Sequence, residues 1–129
     1  MANKTKNQQV GDFGENYAHE FLIKKRYTIL FRNYRQKFDE IDIIARSFDR
    51  TLVFVEVKTL RKNDSSCLTP EDNLTKSKLK KISRACSLFV GLHEDFIDRN
   101  RGWRIDLVAV TIGDSDEEIN INHYENIPF

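Results

Sequence analysis

The sequence predicts a single α/β domain built on a mixed sheet, with its elements in the order α-β-β-β-α-β-β. Three observations lead there. Two stretches, 12–25 and 70–96, repeat apolar residues at helical spacing. Five runs rich in β-branched and aromatic residues read as strands. No Pro/Gly-rich linker or internal repeat divides the chain, so its 129 residues form one core. We expect a flexible N-terminal tail at 1–9 and one domain at 10–129.

The first helix is expected from Asp12 to Lys25. Phe13, Tyr17 and Phe21 recur four residues apart, with Val10 and Leu22 nearby, and make an apolar stripe. Gly14 and Ala18 leave one flank small enough for a strand to come close. Asp12 and Glu15 resemble a capping box, with Asp in place of Ser or Thr. The first strand is Arg26 to Arg35 (RYTILFRNYR). Phe38 to Thr59 then gives two strands around Ser47-Phe48-Asp49-Arg50. Arg61 to Glu71 is a polar loop of the kind that carries substrate contacts. The second helix is expected from Pro70 to Phe96, burying Leu79, Ile82, Ala85, Cys86, Phe89 and His93. A strand from Trp103 to Ile112 and a last one from Glu118 to Tyr124 complete the order.

The hairpin carries the chemistry. Residues two apart in a strand share a face, so Glu40 lies with Asp42, and Glu56 with Lys58. Antiparallel pairing centred on Asp49 sets Asp42 opposite Glu56 and Glu40 opposite Lys58. Opposed carboxylates about 5 Å apart at the Cβ repel. They need a proton or a cation between them. Oxygen ligands of this kind suit a hard divalent ion. Asp42 and Glu56, with the Val57 carbonyl, are therefore candidate ligands for Mg²⁺ or Mn²⁺. Lys58 is a candidate to orient or deprotonate a water, or to stabilise charge on phosphate oxygens. The plain alternative is a solvated sheet face with a Glu40–Lys58 pair, because E-x-K triplets are common there. Glu15 is either a third site carboxylate or a helix cap.

Composition narrows the partners. Net charge is +1, yet from Lys24 to Arg104 there are 19 Lys/Arg against 11 Asp/Glu, a surplus of eight. That favours a polyanionic partner, with Lys76, Lys78, Lys80 and Lys81 as candidate phosphate contacts and a solvated amphipathic helix as the alternative. Asp106 is a rival metal ligand, or half of a structural ion pair with Arg104. Trp103 is an edge plug or a stacking platform. His19, His93 and His123 have no ligand spacing and receive no role. Cys67 and Cys86 form no disulfide framework, and no apolar run nears the ~20 residues of a membrane span. A reducing cytoplasmic setting fits.

With G-D-F-G-E-N-Y-A at 11–18, Asn33, D-E-I-D-I-I at 39–44, F-V-E-V-K-T at 54–59, Lys78 with Ile82 and Ala85, and W-R-I-D-L-V-A-V at 103–110, the chain resembles the short bacterial YraN-type proteins. These are an uncharacterised, endonuclease-like group, and the resemblance covers nearly the whole chain. That group looks like the restriction-endonuclease-like, PD-(D/E)xK superfamily and is similar to archaeal Holliday junction resolvases. The resemblance implies a mixed sheet flanked by helices, with Asp42, Glu56 and Lys58 in the core roles and Glu15 as the first-helix glutamate. It implies a metal-dependent DNA endonuclease acting on branched or damaged DNA as a homodimer; Arg61 and Lys62, at the start of the loop that leaves the hairpin just after Lys58, are candidate DNA contacts by position. Glu40 belongs to the family motif without a fixed role. Asp39 stands where the family has Gly, and Leu60 where it has Arg. The alternatives are a non-catalytic nucleic-acid-binding module and a protein-interaction subunit with a vestigial site.

Overall fold

The computed structural model describes residues 5–37, 39–62, 74–115 and 117–128, with the Asn7 side chain left aside. The first four residues of the expected tail, the loop over 63–71, Cys67 and the expected helix start at Pro70 lie outside the described residues.

Helix α1 spans Lys6–Lys24. It starts six residues before the expected Asp12, so residues 6–9 are helical and not a tail. The reason is a capping box seven residues upstream. Thr5 Oγ1 accepts the Gln8 amide at 3.1 Å, and Gln8 Oε1 accepts the Thr5 amide at 2.9 Å. Asp12 and Glu15 therefore sit inside the helix and cap nothing. The buried row is also shifted by one residue. Gly14, Ala18 and Leu22 face the sheet, while Tyr17 is exposed and Phe21 packs at the margin. Small residues win that face because the helix lies so close. A Cβ added to Gly14 would fall 2.6 Å from Thr59 Cγ2 and 2.7 Å from Thr59 Cβ.

Five strands form one sheet in spatial order β1-β2-β3-β4-β5: Thr28–Gln36, Asp39–Arg46, Leu52–Arg61, Trp103–Ile112 and Ile119–Tyr124. Neighbours are antiparallel except β3 and β4, which are parallel. A parallel pair needs a crossover. Helix α2 supplies it over Lys76–Leu92, capped by Thr75, whose hydroxyl accepts the Lys78 amide at 3.2 Å. It is shorter than the expected 70–96: His93 ends it, and a single 3-10 turn, Glu94–Phe96, follows.

The helices cover opposite faces. Ala18 and Leu22 of α1 pack with Ile43, Val53, Val55 and Val108. Ile82, Ala85, Cys86 and Phe89 of α2 pack with Ile44, Leu52 and Phe54. Strand β3 is thus buried on both sides at its start, as its unbroken run Leu52-Val53-Phe54-Val55 requires of a central strand. The predicted order and mixed sheet hold. Among the described residues no helix is long and apolar enough to cross a membrane.

Candidate active site

The hairpin keeps the register centred on Asp49, pairing Ile43 with Val55 and Arg46 with Leu52. Asp49 closes the turn by accepting the Thr51 amide (3.1 Å), the Thr51 hydroxyl (2.7 Å) and the Ser47 hydroxyl. The paired ladder stops at Ile43–Val55. The next step holds Asp42 and Glu56, and there the strands part. β2 continues to Asp39 against β1, while β3 continues to Arg61 against β4.

Asp42 fills the opening. Its Oδ2 accepts the Val57 amide at 2.8 Å, and the Glu56 carboxylate lies close enough to raise its pKa. Burial, and next the Glu56 charge, push Asp42 up to about 8, against the lowering pull of the Val57 amide. In a strand, N–H and C=O of one residue point to the same side, so the Val57 carbonyl also faces this opening. Lys58 Nζ lies 3.3 Å from Glu56 Oε1.

Glu15 reaches the same acidic neighbourhood from α1. Burial and then Asp42 raise it to about 7, although Arg32, 3.8 Å away, pulls it down. Asn33 links two of the acids. With its amide turned so that nitrogen meets the acceptors, it donates to Glu15 Oε1 (3.0 Å) and Glu40 Oε1 (3.1 Å). Its backbone has φ 53°, a left-handed conformation that Asn tolerates better than most residues.

A cleft of about 260 Å³ opens between this group and α2, lined by Asp39, Glu40, Glu56, Lys58, Lys78 and Lys81 with Ile82 at its base. The expected basic face of α2 divides here. Lys78 and Lys81 line the cleft, whereas Lys76 and Lys80 line a separate groove with Leu79 and Pro128. Arg61 and Lys62 lie exposed at the far end of β3. Asp39 is held by Arg84 of α2 through both carboxylate oxygens, at 2.8–3.0 Å. Its backbone is not left-handed, so it does not need a glycine.

Two expectations need correction. Glu40 does not face Lys58, because the ladder ends before that pair could form. Glu40 registers with Arg35 of β1 instead, and Lys58 takes Glu56. Asp106 is no rival ligand for the Asp42 site. It shares a face with Val108 on the α1 side, while Glu56 shares one with Phe54 on the α2 side. The ion-pair reading stands: Asp106 accepts Arg104 Nε (3.0 Å), His123 Nε2 (2.8 Å) and the Asn126 amide (2.9 Å). Burial alone would raise its carboxyl, but these donors hold it below the usual range.

Asp106, His123 and Glu125 are, among the described residues, the one trio whose ligand atoms all fall within 4.8 Å. Cations already fill their needs. Arg104 also reaches Glu125 (3.1 Å), and Lys25 Nζ sits 2.7 Å from His123 Nδ1. A lysine ammonium only donates, so Nδ1 accepts and Nε2–H donates to Asp106. Trp103 packs edge-on against Phe54 at 5.4 Å, as a plug would. Sequence reasoning gave no role to Asn33 or His123, and placed Arg84 only within the basic half of α2 that could line a phosphate backbone. Alternation along Ile119–Tyr124 carried the signal for His123, since it puts 119, 121 and 123 on the more buried face.

Asp42, Glu56 and Glu15 are spread more widely than that trio. This still fits Mg²⁺ or Mn²⁺, since Mg²⁺ usually takes one or two carboxylates and completes its shell with water and substrate phosphate. The donor set is all oxygen, and its buried acid keeps a proton that a cation would replace.

The model of Uncharacterised protein family UPF0102 matches residues 14–110. A UPF0102 protein of Roseiflexus castenholzii is 36% identical over 115 residues, covering 89% of each chain. One of Caldicellulosiruptor bescii is 40% identical over 116 residues, covering 89% of this chain and 92% of its own. One of Desulfosudis oleivorans is 40% identical over 118 residues, covering 92% and 91%.

Proposed function

Since the chain belongs to the uncharacterised protein family UPF0102, whose name carries no reaction, the reaction has to be read from the cleft, and we propose a metal-dependent endonuclease that hydrolyses DNA phosphodiester bonds. One observation carries this reading. The buried carboxyl of Asp42, its pKa raised by burial and by Glu56, stands beside a cleft that Glu56 lines together with Lys58, Lys78 and Lys81. The two neighbouring acids call for a cation, and the lysines suit a polyanion.

Asp42, Glu56 and the Val57 carbonyl would hold Mg²⁺ or Mn²⁺, which when bound polarises the phosphodiester and acidifies a water. Lys58 lies on the same face and brings a positive charge to the phosphate oxygens as the phosphorus is attacked. Hydrolysis forms a bond from water oxygen to phosphorus and breaks a phosphorus–oxygen ester bond. One proton leaves the water and one reaches the departing alkoxide. Glu15, pushed up to about 7, carries or yields a proton near neutrality beside this centre. Lys78 and Lys81 hold the flanking backbone. Cutting two strands of branched DNA takes two such sites, so a homodimer is the active form on a junction.

The test is cleavage of labelled duplex, single strand, flap and four-way junction with Mn²⁺ or Mg²⁺. The parent should cut, and the favoured structure names the substrate. Asp42→Asn, Glu56→Gln and Lys58→Ala should each lose roughly 100-fold or more, with Lys58→Ala still binding DNA. Parent-level cutting by Asp42→Asn would overturn the assignment. Binding by the parent without cutting would make the chain a non-catalytic nucleic-acid-binding module.

A further inference from the structure

Lys78, Lys81 and Arg84 follow one another at three-residue spacing and so lie along one ridge of α2. The first two line the cleft. The third is bound to a carboxylate at the cleft's own rim: Arg84 Nε and Nη2 meet Asp39 Oδ1 and Oδ2 at 2.8–3.0 Å. The Asp39 side chain is 11% exposed and that of Arg84 58%. Asp39 is therefore the fixed partner, and Arg84 reaches down to it.

Resting on the DNA reading of the cleft, we propose that Asp39 limits how many phosphates this site engages. It neutralises Arg84, and the ridge offers a polyanion two cations instead of three. A bidentate pair uses the same planar N–H fork that a phosphate would take. A phosphate that captured Arg84 would leave Asp39 partly buried and unpaired, beside Glu40 and Glu56 in the same cleft. That cost keeps Arg84 on Asp39. Phosphate contacts are indifferent to sequence. Removing one lowers the hold on plain duplex and leaves a larger share of recognition to the shape of the substrate.

The salt dependence of binding separates the two states of Arg84, because each phosphate contact contributes a slope of about 0.9 in log K against log salt. Fluorescence anisotropy would follow a labelled duplex between 50 and 200 mM KCl, roughly the span over which such contacts show, at fixed Ca²⁺. The parent, Lys78→Gln, Asp39→Asn, Asp39→Ala, Arg84→Gln and Asp39→Asn/Arg84→Gln would be compared. Lys78→Gln should flatten the slope by about 0.9. Both Asp39 variants should bind more tightly at low salt, with a slope steeper by about 0.9, an extra three- to fourfold loss across that range. Arg84→Gln alone should keep the parent slope, and the double variant should return to it. A flattened slope in Arg84→Gln would show that Arg84 already holds phosphate and would overturn the proposal. So would parent-like binding by both Asp39 variants. If the parent shows no salt-dependent DNA binding and Lys78→Gln changes nothing, the DNA reading itself falls and takes the proposal with it.

Discussion

Metal-free protein should lose stability as pH rises towards 8, and the loss should trace to one side chain. Folding lifts the Asp42 carboxyl from its ordinary 3.8 to about 8. Between those values the folded chain keeps a proton that the unfolded chain has released. The stability that Asp42 adds is thus fully present below its ordinary value and drains away as pH climbs through its raised one. At about 1.4 kcal/mol per pH unit the ceiling is ~6 kcal/mol. Water and the surrounding side chains relax around the charge as it forms, so we take ~3 kcal/mol, half that ceiling. For a domain of this size that is a fall of roughly 10 °C in Tm. Asp42→Asn keeps the shape and an acceptor for the Val57 amide but cannot ionise. Its Tm should change much less over the same window, and at pH 8, near the raised value, it should melt above the parent. Glu15, raised to about 7 by burial and next by Asp42, acts in the same direction, and its shift shrinks in the variant because the Asp42 charge is gone, which widens the difference. Mn²⁺ at the same pH should restore the parent and leave the variant unchanged. Thermal melts in EDTA and in Mn²⁺ provide the assay. Parallel pH profiles for parent and variant would refute the raised, buried Asp42 carboxyl.

Further expectations test the frame around the site. Gly14→Ala should push α1 off Thr59 and cost about 1–3 kcal/mol, whereas Gly91→Ala, with nothing within 4 Å of the new Cβ, should gain about 0.5–1 kcal/mol; urea denaturation compares them. Asp106→Ala leaves Arg104 without its buried partner and should cost about 3–5 kcal/mol, with Mn²⁺ binding per folded molecule unchanged by calorimetry. The Asp106 carboxyl is held below its usual range, so the stability it supplies is present above its ordinary value of 3.8 and lost as pH falls below that. Acid unfolding should therefore begin at higher pH in Asp106→Asn. Thr5→Ala removes the α1 cap and should cost ~1 kcal/mol, read as early amide exchange in the first turn.

The hairpin was legible because two rules converge on it. Side chains alternate along a strand, and the Asp49 turn fixes where the arms fold. What the sequence cannot reveal is where a ladder ends. Counting outward from Asp49 placed Asp42 against Glu56 and kept counting to Glu40 and Lys58. The strands part before that step, because β2 stays with β1 and β3 with β4. The start of α1 was hidden for a different reason. The Thr5–Gln8 box precedes a run with no apolar stripe, so pattern reading passed over it. The aromatic row at 13, 17 and 21 was more conspicuous than Gly14, Ala18 and Leu22, yet close packing selects the smaller side chains. Asp39 and Arg84 lie 45 residues apart, and only the packing of α2 on β2 brings them together.

The amide of Val57 has an unusual employer. Strand pairing would give it a main-chain carbonyl on β2, but it binds a titrating carboxylate instead. Whatever changes the charge on Asp42 therefore changes a rung of the sheet itself. A proton, a metal ion or a mutation there is felt by one backbone nitrogen in the middle of the chain. Its proton resonance becomes a built-in indicator, one that reports occupancy of the cleft without any label or substrate.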